Sequence, residues 1–146
     1  MKANHIVMAT DFSDYAQAAL EYATALARDT GATLHILHVI EDPPLSADRG
    51  FGGFQAEAEM EATEQEMLEK VLPTDAGVPY VHKLLHGRPS RCIVEYADSA
   101  HADMIVLGTH GHKGLLRALL GSVAEEVVRR SACPVLTIKQ PAKELA

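Results

Sequence analysis

Five short apolar runs alternate with stretches of helical spacing, and this alternation limits the folds open to the chain. The runs are His5-Ile6-Val7-Met8-Ala9-Thr10, then Thr33 to Ile40, Val78 to Leu85, Asp103 to Leu107, and Val135 to Ile138. Short and apolar on both faces, they read as buried strands. After the first, Ser13 suits a helix N-cap, and Ala16, Ala19, Leu20, Ala23, Leu26 and Ala27 keep three-and-four spacing up to a C-terminal Gly31. A second helix is expected over Gln55 to Leu72, with Met60, Met67, Leu68 and Val71 on one side and a solvated face of glutamates. Gly87-Arg88-Pro89-Ser90 opens a third, with Ile93, Val94, Ala97 and Ala100 as its stripe. The last, Ser122 to Arg130, carries Arg129 and Arg130 at its negative end. Apolar strands separated by helices imply parallel pairing through right-handed crossovers. The expected fold is α/β, a doubly wound five-stranded parallel sheet with helices on both faces. Periodicity does not give the strand order.

At 146 residues the chain suits one domain over 1–146, with 41–54 as a flexible loop (two prolines and three glycines) and 140–146 as a tail. The net charge of −7 and the lack of a basic face argue against a nucleic-acid partner. No apolar stretch nears the roughly 18 residues of a membrane span, and no leader is recognisable, so a cytoplasmic protein is expected. Cys92 and Cys133 have apolar neighbours and are expected as buried reduced thiols.

The fourth strand runs into Gly108-Thr109-His110-Gly111; nine residues later Gly121-Ser122 opens the last helix. Glycines between a strand and a helix N-terminus make an anion site, because the backbone can approach a phosphate and the first helical amides lack partners. In doubly wound sheets ligands bind where strand order reverses. If the first and fourth strands flank that point, Asp11 lies beside Gly108, an acid beside a phosphate cradle, which suits a nucleotide. Asp11 and Ser122 could alternatively serve only as helix caps. There is no Gly-x4-Gly-Lys-Ser/Thr and no Gly-x-Gly-x-x-Gly, so neither a P-loop nor a dinucleotide fingerprint is present. His110, His112 and Lys113 read as solvated loop residues with occasional phosphate contact rather than metal ligands. Of His35 and His38, one is expected near the pocket and the other in the core. No nucleophile–base pair is evident.

Ile6–Ser13, Leu37–Ile40, Gly108–Gly111, Gly121–Val128 and Ser131–Leu136 together resemble the universal stress protein family over essentially the whole chain. The Gly108-x2-Gly111-x9-Gly121-Ser122 spacing resembles that family's ATP-binding branch. The resemblance implies strand order 3-2-1-4-5 and a site for ATP (or ADP or AMP) with magnesium. Asp11 would face the ribose or a phosphate-bound magnesium, the Val39 backbone would bond adenine, and Gly108 and Gly111 would lie against ribose and phosphates. Gly121, Ser122 and Val123 would hold the phosphates, with Ala9, Thr10, Thr109 and His110 completing the cofactor-binding set. Homodimerisation through the last strand is also implied, and agrees with an apolar edge that would otherwise be a liability. The expected function is an ATP-binding stress-response regulatory module whose nucleotide state alters contacts with an unidentified protein partner. A slow ATP-hydrolysing or phosphotransfer enzyme and an apo interaction module are the alternatives; no catalytic residue is assigned.

Overall fold

The computed structural model describes residues 1–41, 51–110 and 120–139. In chain order the elements are β1 (His5–Ala9), α1 (Asp14–Thr30), β2 (Thr33–Ile40), α2 (Phe51–Glu69), β3 (Tyr80–His86), α3 (Pro89–Ser99), β4 (Met104–Gly108), α4 (Ser122–Arg130) and β5 (Val135–Ile138). The strands form one parallel sheet in the order β3-β2-β1-β4-β5. Strand order reverses between β1 and β4, so the crevice that such sheets use for ligands lies at their carboxyl ends.

Alternation along the strands builds two cores. Ile6, Met8, Leu34, Ile36 and Val106 face α1 and α2, where Ala19, Leu20, Ala23 and Leu68 meet them. Val7, Leu37, Ile105 and Leu107 face the other way, against Ile93 and Ala97 of α3 and Ala124 and Val127 of α4. The central strands are therefore buried on both faces, as their unbroken apolar runs require. Small alanines along α1 let it lie close on the sheet. Ser13 caps it by accepting the Ala16 N–H at 3.3 Å, and Gly31 closes it at φ +80° by donating to the Ala27 carbonyl.

Several local expectations are corrected. Helix α2 begins at Phe51, so Phe51 to Phe54 belong to it and not to a loop spanning 41–54. Its stripe is also narrower than the spacing suggested. Leu68 is fully buried and Val71 packs beside it, but Met60 and Met67 are 54% and 41% exposed. Residues 55–63 are all exposed; Glu61 reaches His86 of β3 at 3.3 Å, but none of them enters the core among the described residues. Strand β3 starts at Tyr80 rather than Val78; as an edge strand it leaves Tyr80 and Val81 exposed. Cys92 and Cys133 are not disulfide-bonded and are only partly buried; the Cys92 thiol donates to the His86 carbonyl at 3.4 Å, and Cys133 packs at the margin of the α3–α4 core. Gly111, His112, Lys113, residues 42–50 of the expected loop, and the 140–146 tail lie outside the described residues.

Candidate functional site

The turn after β1 is held by its own side chains. The Thr10 hydroxyl oxygen accepts the Phe12 N–H at 2.9 Å, and Asp11 Oδ1 accepts both the Ser13 N–H at 3.0 Å and the Ser13 hydroxyl. Between them Phe12 takes φ +67°, a conformation that a bulky residue keeps only when its surroundings impose it. The Phe12 ring rests on His38, centroids 4.4 Å apart. Asp11 thus builds the turn, while the cap of α1 is Ser13.

His38, on the α1–α2 face of β2, is buried. Its Nδ1 donates to the Thr10 carbonyl at 2.7 Å, because a carbonyl only accepts. Its Nε2 lies 3.0 Å from Glu64 Oε1 on α2, so one proton occupies that contact. The end of β1 is thereby tied to α2. His35 faces the opposite core and bonds His5 at 3.0 Å and the Tyr96 hydroxyl at 2.7 Å. Both histidines are buried, and His38 is the one beside Asp11.

Across the switch point, Gly108 lies against the first turn of α1. A Cβ there would stand 2.8 Å from the Tyr15 carbonyl oxygen, so only glycine fits. Thr109 is buried, and its N–H and hydroxyl both donate to the Ile138 carbonyl, at 2.9 and 2.6 Å. Its side chain therefore faces β5, not a ligand. The Thr109 carbonyl accepts the Gly121 N–H at 2.6 Å, and a Cβ on Gly121 would come within 3.1 Å of that oxygen. His110 packs edge-on to Tyr15, and its buried Nδ1 has no partner among the described residues.

On β2, the Leu37 carbonyl accepts the Thr10 N–H while the Ile40 carbonyl accepts the Gly87 N–H. Backbone groups alternate sides along a strand, so Val39 turns its N–H and C=O toward the β1 side, beyond the last residue of that strand. This leaves a donor–acceptor pair at the crevice.

A cavity of about 410 Å³ opens beside these strand ends, lined by Glu41, Gly87, Arg88, Pro89, Ser90, Ser122, Val123 and Glu126. Two helices start at its wall, α3 after Arg88 and α4 after Gly121, and among the described residues neither has a side-chain cap. Their first turns therefore present uncapped positive ends to one space. Arg88 Nη2 spans it to Glu126 Oε2 at 2.9 Å, and Arg130 Nε approaches the other oxygen at 3.4 Å. The buried Ser90 hydroxyl, then Arg88 and Arg130, hold the Glu126 carboxyl below the usual carboxylate range.

Of the residues expected at a site, Ser122 and Val123 line the cavity, while Ala9, Thr10, Asp11, Val39, Gly108, Thr109, His110 and Gly121 group around the adjoining strand ends. Sequence reasoning missed Glu41, Arg88, Ser90 and Glu126. Gly87-Arg88-Pro89-Ser90 was legible as a helix start, and a glycine just before a helix is the same signal as Gly121-Ser122; nothing local marked Glu126. No group of three or more His, Cys, Asp or Glu among the described residues could hold a metal ion. No described helix is long and apolar enough to cross a membrane.

Comparison with known proteins places this geometry. The model of the Universal stress protein family matches residues 2–139. Universal stress protein MJ0531 of Methanocaldococcus jannaschii is 39% identical over 142 residues, spanning 95% of this chain and 84% of the relative. The structure of MJ0577 from the same organism superposes with a TM-score of 0.80 at 30% identity, over 97% of this chain and 99% of that one. An Archaeoglobus fulgidus universal stress protein solved in complex with dAMP has a TM-score of 0.61 at 27% identity, over 95% of this chain and 100% of the other.

Proposed function

The chain belongs to the universal stress protein family, and from that premise we propose that it is an adenine-nucleotide-binding regulatory module with magnesium-ATP as its ligand. The observation that carries this reading is the convergence of two helix N-termini, α3 and α4, without side-chain caps on one cavity of about 410 Å³. That volume lies within the roughly 300–1,000 Å³ usual for small-molecule sites. The first amides of α4, at Ser122 and Val123, take the phosphates, favoured by the helix dipole. Gly121 lets the chain turn tightly past Thr109 and His110 into α4, since a Cβ there would stand 3.1 Å from the Thr109 carbonyl oxygen. The Val39 backbone pair reads the adenine edge, and Asp11, at the end of β1, faces the ribose side. Magnesium supplies charge neutralisation at the phosphates; the chain supplies the grip and the orientation.

The output of such a module is a change in contacts. A cytoplasmic homodimer across β5, the edge strand among the described residues, would cover Val135 to Ile138, and an unidentified partner would read the nucleotide state. The dAMP complex of a relative supports nucleotide binding in this fold. Calorimetric titration with magnesium-ATP tests the reading. Saturable binding by the wild type that is lost in Gly121→Val is expected, and a wild type that releases no heat of binding sinks it.

A further inference from the structure

Arg88 is the one cation lining the cavity among the described residues. We propose that Arg88 sets ligand specificity: it exchanges its bond to Glu126 for the ligand's outer phosphates, so that affinity rises with phosphate number. The proposal rests on the nucleotide reading above and adds a residue and a preference to it.

Three features carry it. Glu126 stands four residues after Ser122 on α4, one turn from the amides that face the cavity, or about 6 Å. A guanidinium held at 2.9 Å from Glu126 is therefore within side-chain reach of anything bound at that helix end. Glu126 also keeps partners when Arg88 leaves. The Ser90 hydroxyl and Arg130 remain on it, so no buried carboxylate is orphaned by the exchange. Finally, the Arg88 side chain is 67% exposed while Glu126 is 13% exposed; the arginine swings without unpacking a core, and its end of the ion pair is open to water. A phosphate offers the guanidinium the forked, doubly charged acceptor that it matches best.

The remaining charge on the lining sharpens the direction. Glu41, at the end of β2, is exposed and acidic. A polyphosphate is repelled from that rim and drawn to the side where Arg88 and the α4 amides lie. Adenosine, without charge, gains nothing from Arg88.

Titration calorimetry of ATP, ADP, AMP and adenosine, each with the same magnesium concentration, tests this on wild type, Arg88→Gln and Arg88→Lys. Arg88→Gln should weaken ATP by about tenfold, an amount expected for one charge-assisted contact, and leave adenosine within about twofold. Arg88→Lys, with the charge but not the fork, should fall between. A structural role would lower all four affinities together, and thermal melting of each variant reports that separately. Equal losses for ATP and adenosine, or no loss, overturn the assignment while nucleotide binding stands. A wild type that binds none of the four overturns the nucleotide reading and this assignment with it.

Discussion

Gly108→Ala isolates a single steric contact at the heart of the site. The added Cβ would lie 2.8 Å from the Tyr15 carbonyl oxygen, 2.9 Å from its carbonyl carbon and 3.0 Å from its Cβ. Carbon contacts favour about 3.5–4.0 Å, so three atoms are each too close by several tenths of an ångström or more. Two of the three are backbone and cannot rotate away. Neither element can yield easily: α1 is pinned by the Ser13 cap and the Asp11 turn, and β4 is paired on both sides. The upper part of the overpacking range, about 3 kcal/mol, is therefore expected. With an unfolding entropy of about 2.1 cal/mol/K per residue, a chain of this length should lose roughly 10 °C in Tm. Scanning calorimetry and urea unfolding measure the loss, with the urea m-value unchanged. ATP affinity should fall as well, because the Asp11 turn and the Gly121 cradle are displaced relative to each other. A Gly108→Ala protein that melts within 1 °C of wild type refutes the argument.

Gly31→Ala is the complementary case. Nothing lies within 4 Å of the new Cβ, but φ is +80°, so a purely conformational cost of about 1 kcal/mol is expected by urea unfolding. Leu68→Ala should cost about 2–5 kcal/mol in the same assay, since Leu68 is fully buried, whereas Met60→Ala should stay within about 0.5 kcal/mol. Burial, then the charges of His5 and Lys83, hold the His35 imidazole below its usual 6.5. The unfolded chain then binds a proton that the fold resists. Stability should be complete above about pH 6.5 and decline as pH falls from there through the lower folded value. Urea midpoints from pH 8 to 5 check this, and His35→Gln should flatten the slope.

Periodicity revealed each described strand and helix, because runs and stripes are local. Neighbours are not local. The 3-2-1-4-5 order came from family resemblance, since the two-faced burial of Ile6-Val7-Met8 says nothing about which strands flank it. The same limit hid the Arg88–Glu126 pair, whose members are 38 residues apart on separate helices. It also hid the link from His38 through Thr10 to Glu64. Spacing overreached on α2: Met60 and Met67 occupy helical positions suited to a core, yet both stay exposed, and only Leu68 of that stripe is fully buried. Cys92 and Cys133 show the same error, apolar neighbours in sequence without full cover in space. At the glycines, by contrast, spacing alone was informative. A Cβ has no room at Gly108, and at Gly121 it would press on the Thr109 carbonyl oxygen at 3.1 Å.

The bare first half of α2 has a thermodynamic consequence. Over 55–63 no residue enters the core among the described residues; the exposed pair of Glu61 with His86 at 3.3 Å adds little, and the intrinsic propensity of Ala, Glu, Gln and Met is worth only tenths of a kcal/mol per residue. An isolated helix of this length is marginal in water. Amide exchange should therefore be fast across those turns and slow down abruptly near Leu68, where the core takes hold. Local opening of the exposed turns is then expected to cost far less than loss of the Leu68 anchor, so the exposed half can fray or change in sequence at little cost to the core.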